Sequence, residues 1–168
     1  MKSGMVYLRP ARMVYVRIMG PYEQSIPEAW EKLFAWVAKN DLNSPVGRGY
    51  GLSHDNPSNT SVEKLRYDAC LQLTPLYEER AQRELSVMTL PSGPYLRHKY
   101  TGGYEGIYGM VSGAHDAIEV PPELKHDARR PVVTIYLDDP ARAVDGDLRA
   151  EICLPVSVAS ARDRANAA

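Results

Sequence analysis

Two cysteines among 168 residues are too few to staple a disulfide scaffold together, and a cytoplasm would keep both reduced. No apolar run approaches the ~20 residues that cross a bilayer. No cluster of lysine or arginine marks a membrane or nucleic-acid surface. The 20 basic residues are scattered, and 21 acidic ones leave a formal charge of −1. The opening "MKSGMVYLRPARMVYVRIMG" lacks the apolar core and small-residue cleavage site of a signal peptide. The four histidines show no dyad spacing, and no His/Cys set has the spacing of zinc ligands. "GRGYG" at 47–51 lacks the Lys-Ser/Thr and the strand-then-helix context of a phosphate loop. These absences predict a cytoplasmic protein with no cofactor, no metal, no direct nucleic-acid contact and no membrane.

What the sequence does contain is a repeat. "DNPSNTSVEKLRYDAC" at 55–70 matches "DDPARAVDGDLRAEIC" at 138–153 without a gap, with an acid two residues after each arginine. Upstream, Tyr15-Val16-Arg17 pairs with Tyr95-Leu96-Arg97, and "GPYE" at 20–23 pairs with "GGYE" at 102–105. That pairing requires a two-residue insertion, "YT", in the second copy. Two copies are too few for a solenoid and point to a duplicated unit with pseudo-twofold symmetry.

Each copy reads as β-α-β-β, an α+β class. In the first, Met13–Met19 is a strand rich in Val, Ile and Tyr. A helix follows from Ser25, where Ser25 and Glu28 have capping-box spacing, Pro27 sits in the first turn, and Asn40 closes the C-terminus. Strands at about 48–54 and 65–74 complete the copy. The second copy has a glycine-weakened helix over 105–119 and strands at 132–138 and 148–156. An extra strand near 84–89 joins the copies. The expected domain is 1–156, with repeats at about 5–75 and 84–156, and a disordered tail at 157–168 that has little to bury.

Alternation along strands divides the side chains between two faces. Tyr67, Ala69, Leu71 and Leu73, with Ala150, Ile152, Leu154 and Val156, belong under the helices. Asp68, Cys70, Glu151 and Cys153 then point the other way. On a sheet covered on one side only, Tyr50, Leu52, Val133, Ile135 and Leu137 join the helix side. Ser53, Thr134, Tyr136, Tyr15, Arg17, Tyr95 and Arg97 join the acid side. A one-residue slip would invert any of these strands.

These motifs in combination, "VYVRIMGPYE", "AWEKLFAWV", "GLSHDNP", "EKLRYDACL", "LPSGPYLRHKYTGGYEG", "IYLDDP" and "LRAEICLPV", resemble the GyrI-like small-molecule-binding family. That family is also described as the effector-binding domain of AraC-type and MerR-type multidrug regulators. The resemblance covers about 5–156 and implies a curved antiparallel sheet from a tandem β-α-β-β duplication. Two helices lie on one face, and a ligand groove lies on the pseudo-twofold axis. It further implies binding of amphipathic, often cationic aromatic compounds, with a last-strand glutamate, here Glu151, as the charged anchor. The second copy's "KYTGGYEG" departs from the family's tighter turn. The length leaves no room for a helix-turn-helix, so the stand-alone form is expected, similar to DNA gyrase inhibitory protein. Another branch resembles hydrolases that open cyclopropane-bearing toxins.

The expected ligand-binding residues are therefore Glu151, Tyr136, Tyr15, Tyr95, Arg97, Asp68 and Trp36. Glu151 has a plain alternative as the partner of Arg149 or Arg97. For Asp68 a salt bridge is the favoured role. Trp30 and Phe34 lie on the helical stripe and read as core, whereas Trp36 lies off its centre and is a candidate for the groove rim. Tyr136 would orient a ligand or donate a proton beside Glu151, or else is an ordinary sheet tyrosine. The cysteines read as small packing residues. The favoured function is a binding module for a small aromatic or cationic compound. The alternatives are a hydrolase using Glu151 and Tyr136, or a protein inhibitor whose partner is DNA gyrase or a regulator.

Overall fold

The computed structural model describes residues 3–40, 46–138 and 148–167. In chain order the first half runs β1 (Gly4–Leu8), β2 (Arg12–Met19), α1 (Tyr22–Lys39), β3 (Val46–Ser53), β4 (Arg66–Leu73), α2 (Pro75–Glu84) and β5 (Ser86–Thr89). The second half runs β6 (Gly93–Gly102), α3 (Tyr104–Ala117), β7 (Leu124–His126), β8 (Val132–Tyr136), β9 (Leu148–Val158) and α4 (Ala161–Asn166). The strands form one antiparallel, open sheet in the order β1-β6-β9-β8-β3-β4-β2-β5, with β7 added to β9. The two copies meet where β3 pairs with β8, and the pseudo-twofold axis passes through that seam.

The quoted sixteen-residue repeat builds the same device twice. Asp55 accepts from the Arg66 backbone N–H at 2.9 Å and from Nε and Nη2 of its guanidinium at 3.0 and 2.9 Å. Asp138 holds Arg149 through the same three donors at 2.9, 3.0 and 2.8 Å. Each bidentate pair ties the end of one strand to the start of the next, so the two ends of the intervening connection are fixed.

Register removes the expected insertion. Arg17 lies opposite Asp68, and Lys99 lies opposite Glu151. Lys99, not Arg97, is therefore the counterpart of Arg17, and "YT" continues strand β6 to Gly102. The "VYVR" and "PYLR" likeness is a chance similarity two residues out of phase.

Helix α1 begins three residues before the expected start. Gly20, at φ 140°, turns the chain out of β2, and Pro21 is the N-cap. Ser25 therefore lies inside the helix, buried, and makes no capping bond. The buried stripe of Tyr22, Ile26, Ala29, Trp30, Leu33 and Trp36 follows the helical period and faces the sheet. Asn40 ends the helix as expected, its amide donating to the Trp36 carbonyl at 2.9 Å. Helix α2 was not expected. Its polar sequence lacks an apolar stripe, although Pro75 at the start and a Glu79–Arg83 pair one turn apart are helix signals. The tail expected to be disordered forms α4, closed by a capping box between Ser160 and Asp163.

The largest correction concerns the faces. Strands β4 and β9 keep their expected phase: Tyr67, Ala69, Leu71 and Ala150 pack beneath α1, and Ile152, Leu154 and Val156 beneath α3. Strands β3 and β8 are inverted. Leu52 lies opposite Asp68, and Ile135 lies opposite Glu151, so both share the acid face with Tyr50 and Val133. Ser53, Thr134 and Tyr136 face the helices instead. The reason is a second apolar cluster on the acid face, in which Leu8, Met13, Leu52, Leu90, Tyr95, Val133 and Ile135 pack together. A strand buried on both faces carries no polar alternation from which to read its phase.

Candidate functional site

Helices α1 and α3 lie side by side over the seam of the sheet. Each opens with Tyr-Glu, because the matched "PYE" and "GYE" segments start both helices alike. Tyr22 turns inward and its hydroxyl donates to the Asp55 carbonyl at 2.7 Å. That leaves Glu23 on the outside. Glu23 from α1 and Glu105, Tyr108, Gly109 and Ser112 from α3 line an open cleft of about 430 Å³. Both glutamates are exposed, and neither has an ion-pair partner among the described residues. Tyr108 is half-buried; burial, with Glu105 nearby, holds its phenol above the ordinary value, so it remains a neutral donor.

Tyr108 packs onto the aromatic set beneath the helices. There the Trp30 indole Nε1 donates to the Tyr67 hydroxyl at 2.9 Å, and that hydroxyl lies 3.3 Å from the one on Tyr136. The Trp30 and Tyr136 rings meet edge to face at 5.2 Å. Burial raises both tyrosines, Tyr136 to about 12. Gly51 makes this possible, since a Cβ there would overlap the Tyr67 hydroxyl.

The sequence-predicted residues divide between the two faces. Glu151 and Arg97 share the acid face and form an ion pair at 3.6 Å, with 16 % of the Glu151 side chain exposed. Tyr136 lies on the opposite face, so the Glu151–Tyr136 pair expected for hydrolysis does not come together. Tyr15 and Tyr95 are on the acid face as expected, but Tyr95 is fully buried, bonded to the Pro91 carbonyl and covered by Arg130 at 4.8 Å. Asp68 has no exposed surface. It accepts from Arg17 Nε and Nη2 at 2.7 and 2.9 Å and pairs with His54 Nε2 at 2.6 Å. Burial pushes its carboxyl up, but these bonds outweigh burial and hold it below the ordinary value. Asp68 is thus the centre of a buried salt bridge, the role favoured for it from the sequence. Trp36 is core, 8 % exposed, with its indole donating to Glu84 at 2.6 Å.

Sequence reasoning missed Glu23 and Glu105 as a pair. The signal was present in the repeat itself, which places the same acid one residue into each helix. Cys70 and Cys153 are free and buried. Burial pushes both thiols up, Cys153 to about 12, so neither supplies a thiolate at neutral pH. Ellman's reagent is expected to leave both untouched in the native protein and to titrate both after denaturation. Rapid native labelling of either would show that the strands open readily.

Comparison with known proteins gives consistent results. The family described as GyrI-like small molecule binding domain matches residues 1–157. A DNA gyrase inhibitor of Serratia proteamaculans (strain 568) is 29 % identical over 103 residues, which is 58 % of this chain and 65 % of that protein. The chain thus spans slightly less than two thirds of that relative's length. SAV2435, solved bound to tetraphenylphosphonium, superposes with a TM-score of 0.66 at 17 % identity, covering 94 % of both chains. A hydrolase from Listeria innocua superposes at 0.58 with 16 % identity, covering 93 % of this chain and 92 % of that one. At these identities the solved structures establish the fold. No helix among the described residues is long and apolar enough to cross a membrane.

Proposed function

Because this chain belongs to the GyrI-like family of small molecule binding domains, we propose that it binds small aromatic cations in the cleft between α1 and α3. The observation that carries this reading is the pair of glutamates without ionic partners among the described residues, one from each repeat, on a cleft walled by Tyr108. Two carboxylates attract a cation more strongly than one, and the attraction grows as the ligand displaces water. The tyrosine ring adds cation–π attraction of ~0.5–2 kcal/mol. Tetraphenylphosphonium, the compound bound to SAV2435, has this chemistry.

The test is calorimetric titration with tetraphenylphosphonium. The Glu23→Gln/Glu105→Gln variant is expected to bind about tenfold more weakly, with the difference shrinking at high salt. Unchanged affinity in that variant, together with lost affinity in Glu151→Gln, would move the site to the acid face. Mass spectrometry of every compound that binds separates capture from turnover: recovery intact indicates capture, and a product that has gained the elements of water indicates a hydrolase.

A further inference from the structure

The end of α3 meets β7 through two histidines that the cleft does not use. The rings of His115, in the last turn of α3, and His126, at the end of β7, touch edge to face at 4.5 Å. Beside them Ala114 and Ile118 pack with Val156 of β9, the residue paired with His126. Nε2 of His126 is buried and has no hydrogen-bond partner among the described residues. A neutral imidazole can leave that nitrogen without a proton, but an imidazolium carries N–H on both nitrogens. A protonated His126 would therefore bury a charged donor with no acceptor, which is strongly unfavourable.

The surrounding charges do not relieve this. Asp127 is held by Arg129 and Arg130 at 3.1 and 3.0 Å, and Arg130 itself sets a positive charge near the His126 ring. Asp116, next to His115, is exposed and accepts from Ser58 Oγ at 3.4 Å. Among the described residues, Asp116, Asp127 and Arg130 are the charged groups that act on the pair. Burial dominates and holds both imidazoles below the ordinary histidine value, and His126 adds to the effect on His115. Helix α3 is also intrinsically weak. Gly109 and Gly113 lower its stability, and packing requires neither, since a Cβ on either would meet nothing within 4 Å. Its order depends on what it packs against.

We propose that the His115–His126 contact is an acid-opened latch: with both rings neutral it holds the end of α3 on β7, and a proton on either parts them and frees the helix end. Its consequence for the cleft rests on the reading above. Glu105, Tyr108 and Ser112 all belong to α3, so opening withdraws one wall of the site and releases a bound cation. The open form takes up protons at the ordinary value of ~6.5 and the closed form only below it. The latch is therefore fully shut above ~6.5 and yields as pH falls beneath that. Each histidine that the closed form keeps neutral raises the opening constant about tenfold per pH unit.

Native-state hydrogen exchange on the ligand-free protein, corrected for the intrinsic pH dependence of exchange, tests the latch. From one pH unit above ~6.5 to one below, opening at the amides of 112–117 should rise about ten- to hundredfold. His115→Phe/His126→Phe keeps two rings and removes both titrations, and its rise should stay under about threefold. His54 and His98 remain in both proteins and cancel in the comparison. An equal rise in both proteins, or none in wild type, overturns the latch. So does opening as rare in 112–117 as in α1, which is global unfolding and not a local event. If the double variant fails to fold, proton NMR titration of the wild-type rings takes its place: uptake below ~6.5 in step with α3 opening upholds the latch, and uptake at or above that value overturns it. Tetraphenylphosphonium at about a hundred times its dissociation constant should suppress the opening about hundredfold at the lower pH. A compound that binds by calorimetry and leaves the opening unchanged overturns the release but not the latch. Absence of binding at either pH overturns the cleft reading alone.

Discussion

Replacing Asp68 with alanine is expected to destabilise the fold by about 3 kcal/mol, read from urea denaturation. The carboxylate is fully buried; it accepts from Arg17 on both oxygens and meets His54 at Oδ2. Removing it leaves Arg17 beside an apolar cluster without its counter-charge. The expected cost lies at the low end for a broken buried pair, because 41 % of the Arg17 side chain is exposed and its head can turn to water. Asp68→Asn should fall close to the alanine variant, since the amide keeps the shape but not the charge. The effect has a defined pH dependence. The folded state holds this carboxyl below its ordinary value, so the unfolded chain takes up the proton first. Its contribution is complete above the ordinary carboxylate range near pH ~4 and is lost as pH falls through the lower, folded value. Wild type and variant should therefore converge in stability as the pH is lowered below ~4. A loss under ~1 kcal/mol at neutral pH would show that the pair adds little beyond packing.

Gly51→Ala is expected to be nearly as damaging, at about 2–3 kcal/mol. The added methyl would occupy the position of the Tyr67 hydroxyl, the far end of a rigid ring. That ring has little freedom, being fully buried and edge-on to Tyr22 at 6.4 Å. The ring must move, and the Trp30 and Tyr136 contacts go with it. Adding Tyr67→Phe to Gly51→Ala removes the clashing oxygen and should restore part of the lost stability. The restoration stays incomplete, because the Trp30 indole N–H is then left without its acceptor. If the double variant is no more stable than Gly51→Ala alone, the damage comes from the strand itself and not from the hydroxyl.

The contrast between strands shows where the sequence was informative. In β4 and β9 the pattern Arg-x-acid-x-Cys alternates with apolar residues, so their phase was legible. In β8 every residue is buried, and β3 carries glycines where side chains would be counted. Neither strand holds an alternation to read, and an assumption of one-sided cover decided both wrongly. Tyr136 followed β8 to the wrong face and was joined to a glutamate it does not meet. Helix α1 was legible from its stripe, but its start was not, because Ser25 and Glu28 have capping-box spacing without serving as one. The cleft was half legible: the family resemblance implied a groove on the twofold axis, but the acids it pointed to lie on the strands and not on the helices that form the cleft.

The matched helices carry one further meaning. Their opening residues agree, Tyr22 with Tyr104 and Glu23 with Glu105, but eight residues past each tyrosine the copies diverge to Trp30 and Ser112. Charge at the mouth is therefore the same from either side, while the positions behind it differ: Ser112 lines the cleft and Trp30 turns into the core. In the proposed mode a cation is attracted from either side alike, but the walls behind the two glutamates differ, so its two orientations related by the axis are not equivalent. Duplication supplied a twofold entrance, and divergence after duplication made its two sides inequivalent.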